Sequence, residues 1–118
     1  MSWLNSTQLH LLERYLDVSS MRQSLVSTNL ANIDTPGYHA RDVDFHGELA
    51  RAMSGEDVSM TSPFVMPVRG LMERPDGNNV SADRESLLLA EVQLQYKTAT
   101  SVLRAEFAQL STAIREGQ

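Results

Sequence analysis

Cysteine is absent from the chain. That removes disulfides, thiolate nucleophiles and cysteine-based zinc or iron–sulfur sites, without fixing a compartment. Cations are also scarce: 10 Lys+Arg stand against 15 Asp+Glu, a formal charge of −5, and no basic run occurs. Phosphate binding is built on clustered Lys and Arg, so nucleic acid is not expected as a partner. Long apolar runs are missing too. The longest, Leu87-Leu88-Leu89-Ala90, is four residues, against about 20 for a membrane span and about 7 to 15 for the core of a secretory leader. Export, if it occurs, is therefore expected to use a route without a cleaved Sec leader. Aromatics supply 6% of the 118 residues and hydrophobic residues 42%, which describes one domain with an aliphatic core and favours helices.

Residues 1–33 contain no Pro or Gly and read as an N-terminal helix. Leu4, Leu11, Tyr15, Val18 and Leu25 recur at three-, four- and seven-residue intervals. A second stripe of Leu9, Leu12, Leu16, Val26, Leu30 and Ile33 lies beside the first. Together they exceed half the helix circumference, wider than one partner helix needs. Asn5 or Ser6 suits the N-cap. Residues 81–118 read as a C-terminal helix in which Leu89, Val92, Tyr96, Ala99, Leu103, Phe107, Leu110 and Ile114 approach a heptad seam, capped by Ser81 or Asp83 and ended by Gly117. Asp83 and Glu85 place negative charge where the helix dipole favours it. Each helix would run roughly 50 Å, longer than the roughly 35 Å diameter of a compact chain of this size. The fold class expected is mainly α: two long terminal helices packed as an elongated coiled-coil-like pair, joined by an extended or irregular middle with at most short β structure.

That middle, residues 34–80, holds all 4 prolines and 5 of the 6 glycines, with 8 acidic and 4 basic residues. Val43 and Phe45 alternate with Asp42, Asp44 and His46, which predicts a short strand. Glu48 to Met53 suits a helical turn or two, and Ser54 to Arg74 is expected to be extended or mobile. Met53, Met60, Met66 and Met72 lie here as gap fillers or as an adaptable surface.

Chemistry is not in evidence. His39, Asp42, Asp44 and His46 lie close in sequence, but on a strand His39 faces away from the other three, so a solvated edge is expected rather than a metal. Asp76-Gly77-Asn78-Asn79-Val80 begins like an EF-hand loop and then fails, with Val80, Ser81 and Leu87 at the fifth, sixth and twelfth positions. No nucleophile elbow, phosphate-binding glycine loop or zinc-protease helix occurs. No enzyme activity, cofactor, metal or small-molecule substrate is expected.

The most specific stretch is Asn29-Leu30-Ala31-Asn32-Ile33-Asp34-Thr35-Pro36-Gly37-Tyr38. Asn32 or Asp34 suits the helix C-terminus, Pro36 forbids continuation, and Pro36-Gly37 fits the centre of a type II turn. A stop needs only Gly or Pro. Asn29 and Asn32, three apart in the last turn, can also bond backbone across a helix contact.

This decapeptide resembles the N-terminal signature of bacterial flagellar rod, hook and hook-associated axial proteins. Its continuation, Ala40-Arg41-Asp42-Val43-Asp44-Phe45, and a second block of Asp76, Gly77, Asn78, Asn79 and Val80 followed by Asp83, Arg84 and Glu85, are most similar to the basal-body rod branch, and within it to proximal rod subunits. The likeness covers roughly residues 1–47 and 75–116, not the 54–74 stretch. One departure is Ser81, where the family usually has an acid; Ser keeps the cap but not the charge. The resemblance implies an axial module without an inserted globular domain, exported by the flagellar type III apparatus. It further implies a place in the basal-body rod, on the periplasmic side, linking membrane ring and export gate to the distal rod and transmitting torque. Partners would be itself, other rod subunits, membrane-ring and rod-base adaptor proteins and the export gate. The helix-packing residues expected are Leu11, Tyr15, Val18, Leu25, Leu89, Val92, Tyr96, Leu103, Phe107, Leu110 and Ile114. Isolated subunits are expected to have mobile termini that order on assembly. The alternative from another class is a soluble helical adaptor or export chaperone, which accounts for the heptads but not for the Asn-Pro-Gly junction.

Overall fold

A computed structural model describes residues 5–58 and 61–117. Leu4 and Met60, assigned above to a helix stripe and to the methionine group, lie outside the described residues. The order is α1 (Ser6–Ala31), β1 (Arg41–Val43), α2 (Phe45–Met53), β2 (Val65–Pro67) and α3 (Ala82–Glu116).

Asn5 starts α1 with a reciprocal capping box: its side chain accepts from the Gln8 N–H, and the Gln8 side chain accepts from the Asn5 N–H, both at 2.8 Å. Two of the four orphan N–H groups of the first turn are thereby satisfied. Of the two candidates for the start of α3, Ser81 is the cap, accepting from the Arg84 N–H.

The helices run antiparallel. The end of α1 meets the start of α3 at Asn29 and Glu85, and Leu11 and Tyr15 lie beside Ala99 and Val102. α3 has 35 residues, about 52 Å, and the molecule measures 68 × 26 × 18 Å with a radius of gyration of 18.1 Å. A compact chain of this length would be nearer about 13.5 Å. The elongation expected from helix length is therefore present.

Val18, Leu25 and Val43 form the core, with Met21, Phe45 and Val65 packed on it. Phe45 meets Tyr15 edge to face, ring centroids 5.2 Å apart. The strand expected from the alternation at 42–46 is shorter than that pattern. Asp44 instead caps α2, accepting from the Gly47 N–H at 3.1 Å, and Phe45 belongs to the helix. An Asp N-cap with Glu48 adding negative charge in the first turn is a helix-start signal, and it outweighs three alternating positions. β1 pairs antiparallel with β2 in the register Arg41↔Pro67, Asp42↔Met66, Val43↔Val65. Pro67 sits at the end of this two-stranded ribbon, where a missing N–H is tolerated.

The seam that α3 turns toward α1 differs from the one read in the sequence. Glu85, Leu88, Val92, Ala99 and Glu106 are the buried positions, and the heptad through them shares only Val92 and Ala99 with the predicted seam. Leu89 and Leu103 are half-buried, while Tyr96, Phe107, Leu110 and Ile114 are exposed, Phe107 at 60% and Ile114 at 64%. From Leu110 to Gly117 every residue is exposed. No helix among the described residues is long and apolar enough to cross a membrane.

Candidate functional site

The polar groups of the chain converge where α1 ends, the chain turns into β1, the 74–80 loop passes and α3 begins. Asn32 closes α1: its N–H bonds the Thr28 and Asn29 carbonyls, and its side chain donates to the Thr28 carbonyl at 2.8 Å and accepts from the Thr35 hydroxyl at 3.1 Å. It therefore works on its own helix end rather than across a helix contact. The turn Thr35-Pro36-Gly37-Tyr38 is closed by the Tyr38 N–H on the Thr35 carbonyl at 3.2 Å, with Gly37 at φ +74° as a type II turn requires.

Asn29 is the hub, 1% exposed. Its amide donates to the Arg41 carbonyl at 2.9 Å and to Glu85 Oε1 at 3.2 Å. Its oxygen accepts from the Tyr38 hydroxyl at 3.0 Å and from the Arg41 N–H at 3.1 Å. One side chain thus ties α1 to the turn, to β1 and to α3. Leu30 is half-buried beside it, while Ala31, Asp34, Thr35 and Pro36 are exposed.

The second block completes α1 from a distance. Asn78, fully buried, donates to the Asn32 and Thr35 carbonyls, both at 2.8 Å, and accepts from the Val80 N–H. Arg74 donates to the Ile33 and Val80 carbonyls. Asn79 accepts from the Ala40 N–H at 2.7 Å and donates its own N–H to the Tyr38 carbonyl. The C-cap carbonyl of Asn32 is an orphan of the helix end that needs a partner, and a loop more than 40 residues away supplies donors to it and to the Ile33 and Thr35 carbonyls of the turn beyond. This gives a physical reason for the two blocks to occur together.

Gly37 and Gly77, both at positive φ, meet back to back, the Gly37 N–H bonding the Asp76 carbonyl at 2.9 Å. A Cβ on Gly77 would stand 3.3 Å from the Gly37 Cα, whereas a Cβ on Gly37 meets nothing within 4 Å. Gly37→Ala is therefore expected to cost only the left-handed backbone term, about 1–2 kcal/mol, and Gly77→Ala more, read from urea unfolding of both variants.

Charge fixes the other side. Arg22 holds Asp42 through two nitrogens at 3.2 Å, and Arg84 bridges Asp42 at 3.1 Å and Glu85 at 2.9 Å. Arg22 also lies 5.9 Å from the Phe45 ring centroid. Asp42 is thus a structural anion between two arginines, not one of a set of ligands. His39 pairs with Glu73, and Asp83 is exposed. Sequence reasoning named Glu85 in the second block without its partner on α1, and it missed a second polar anchor: Arg14 on Glu48 at 2.7 Å, beneath Val58 and residues 61–64.

Four segments locked at one end of a long helix pair, with the far end of α3 bare, define an elongated helical structural subunit. No family model matches the chain. It is 33% identical over 129 residues to the flagellar basal body rod protein FlgB of Escherichia coli (strain K12), covering 92% of this chain and 94% of that protein. To FlgB of Borrelia hermsii it is 33% identical over 126 residues, 89% and 93% respectively. To FlgB of Yersinia ruckeri it is 30% identical over 129 residues, 92% and 94%. The chain belongs to the FlgB family of flagellar basal body rod proteins and is a structural subunit of the proximal rod.

Proposed function

We propose that the chain builds the rod by packing its terminal helices against those of neighbouring copies and other rod subunits, with the junction setting the angle at which they leave. In that role it links the membrane ring, the rod-base adaptors and the export gate to the distal rod, on the periplasmic side, and carries torque. It reaches that place through the flagellar type III apparatus, and a structural role leaves no reaction to assign to it. The observation that carries this reading is α3 from Tyr96 onward. Tyr96, Phe107, Leu110 and Ile114 are exposed large apolar residues on one stripe, and burying such side chains is worth about 1.5–3 kcal/mol each. Leu11, Tyr15, Val18, Leu25, Leu89, Val92 and Leu103 hold the pair together beneath them.

The test is deletion of the native gene and complementation, scored by swimming and by electron microscopy of basal bodies. The wild-type chain is expected to restore both. Pro36→Ala and Asn32→Ala are expected to be expressed at normal levels and to impair swimming, because the first loosens the turn and the second strips the helix end. Normal swimming in both variants would remove the assigned role of the turn.

A further inference from the structure

Beyond Glu91 the cations of α3 are Lys97, Arg104 and Arg115, seven and eleven residues apart, spacings that place them on one line of the helix. All three are exposed and none forms an ion pair among the described residues. At about 100° per residue this line lies about a quarter turn past the apolar line of Leu103, Phe107, Leu110 and Ile114, in the direction of increasing residue number. α1 carries the counterpart. Leu9, Leu12 and Leu16 form a half-buried line whose Leu12 borders the groove between α1 and α3, and about a quarter turn past it, in the same sense, stand Glu13 and Asp17. Both are exposed and without an ion pair among the described residues. They border a groove of about 510 Å³ whose opposite wall includes Glu56 and Asp57.

Two helices whose charged lines lie on the same rotational side of their apolar lines match flank to flank only when they run antiparallel. Within one copy α1 and α3 are antiparallel, so two copies in the same orientation bring the α3 of one antiparallel to the α1 of the other. Pairing α3 with its own copy across a two-fold axis in antiparallel fashion would instead set the cation line against itself.

We propose that the distal half of α3 docks on the Leu9, Leu12 and Leu16 face of α1 of a second copy in the same orientation, leucine line on leucine line, with Arg104 and its neighbours against Glu13 and Asp17. The contact is heterologous, so it does not close into a dimer but passes from copy to copy. It rests on the assembly reading above and specifies which faces meet.

The test uses the full chain in a strain lacking its own copy. Glu13→Arg with Asp17→Arg, and separately Arg104→Glu, are each expected to abolish swimming while leaving the circular dichroism spectrum of the purified chain unchanged, since all three residues are exposed. The chain carrying all three reversals is expected to swim. Swimming by either the Glu13/Asp17 variant or the Arg104 variant, or failure of the combined variant, overturns the docking. If the wild-type chain itself does not restore swimming, the rod assignment fails instead. A second measurement uses the absence of cysteine. Asp17→Cys with Arg104→Cys in one chain is expected to give a disulfide ladder on a non-reducing gel of basal bodies. A dimer band alone, or none, contradicts head-to-tail contact.

Discussion

Arg14→Ala is expected to lower the stability of the isolated chain by about 3 kcal/mol, seen as a fall of roughly 10 °C in Tm. Arg14 lies on α1, yet it is 4% exposed and spends its guanidinium on three partners: the Val58 carbonyl at 3.1 Å, the Thr61 carbonyl at 2.8 Å and Glu48 at 2.7 Å. Glu48, 2% exposed, uses its other oxygen to accept the Phe64 N–H at 2.7 Å and also bonds Arg51 at 3.0 Å. Removing one member of a buried pair leaves the other charged and undercompensated, which costs about 3–5 kcal/mol. Arg51 stays beside Glu48 when Arg14 is lost, which puts that variant at the lower end. Glu48→Ala leaves Arg14 with carbonyls alone and is expected to cost more. Arg14→Met combined with Glu48→Leu is expected to recover only part of the loss, because it removes both buried charges but leaves the Thr61 carbonyl and the Phe64 N–H without their side-chain partners. Urea unfolding of wild type, Arg14→Ala, Glu48→Ala and the chain carrying both alanines forms the double-mutant cycle. A loss under 1 kcal/mol in both single variants would show that the pair does not anchor Val58, Thr61 and Phe64.

The same pair gives the stability a sign with pH. Burial pushes the Glu48 carboxyl up, but the Phe64 N–H and the Arg14 and Arg51 cations together outweigh it and hold the group below its ordinary 4.5. The unfolded chain then binds more protons than the folded one between the two values. Stability contributed by Glu48 is complete above the ordinary value and is lost as pH falls through the lower folded one. Glu48→Gln is expected to be less stable than wild type at pH 7, and the gap is expected to narrow as pH falls below about 4.

The helices were legible because helical sequence advertises itself: no Pro or Gly between residues 1 and 33, a seven-residue recurrence in the last third and good caps at Asn5 and Ser81. The turn at Pro36-Gly37 was legible for the same local reason. What was not legible depended on partners far away in sequence. β2 follows Pro63, ends on Pro67 and becomes a strand only because β1 offers it an edge. The α3 seam was misplaced by a rotation of the helix, since the positions turned toward α1 include Glu85 and Glu106, and a reading that follows hydrophobicity selects the neighbouring, greasier line. Glu85 is tolerated inside because Arg84 and Asn29 receive it, and Asn29 is 56 residues distant. Buried polar networks of this kind leave no periodic trace.

That network supports the second large effect. Asn29→Ala is expected to destabilise the chain by about 2–4 kcal/mol, since it leaves the Arg41 N–H and carbonyl, the Tyr38 hydroxyl and part of Glu85 without their partner at once, and an unsatisfied buried group costs about 1–3 kcal/mol. The Tyr38 hydroxyl finds water at the half-exposed rim, so the sum falls short of four full penalties. Asn29→Asp separates shape from chemistry. It keeps the volume and the acceptor for Tyr38 and Arg41 N–H, but it replaces an amide that donates to the Arg41 carbonyl and to Glu85 with a carboxylate facing both. Two carboxylates at about 3 Å do not both ionise cheaply, so at pH 7 Asn29→Asp is expected to be less stable than Asn29→Ala. Folding raises the pKa of the shared site, so the folded state binds the extra proton and stability is regained as pH falls toward 5. Thermal melts of the two variants between pH 5 and 8 read this directly. Parallel curves would mean that Glu85 is held by Arg84 alone, and that Asn29 closes the turn and β1 without locking α3 to α1.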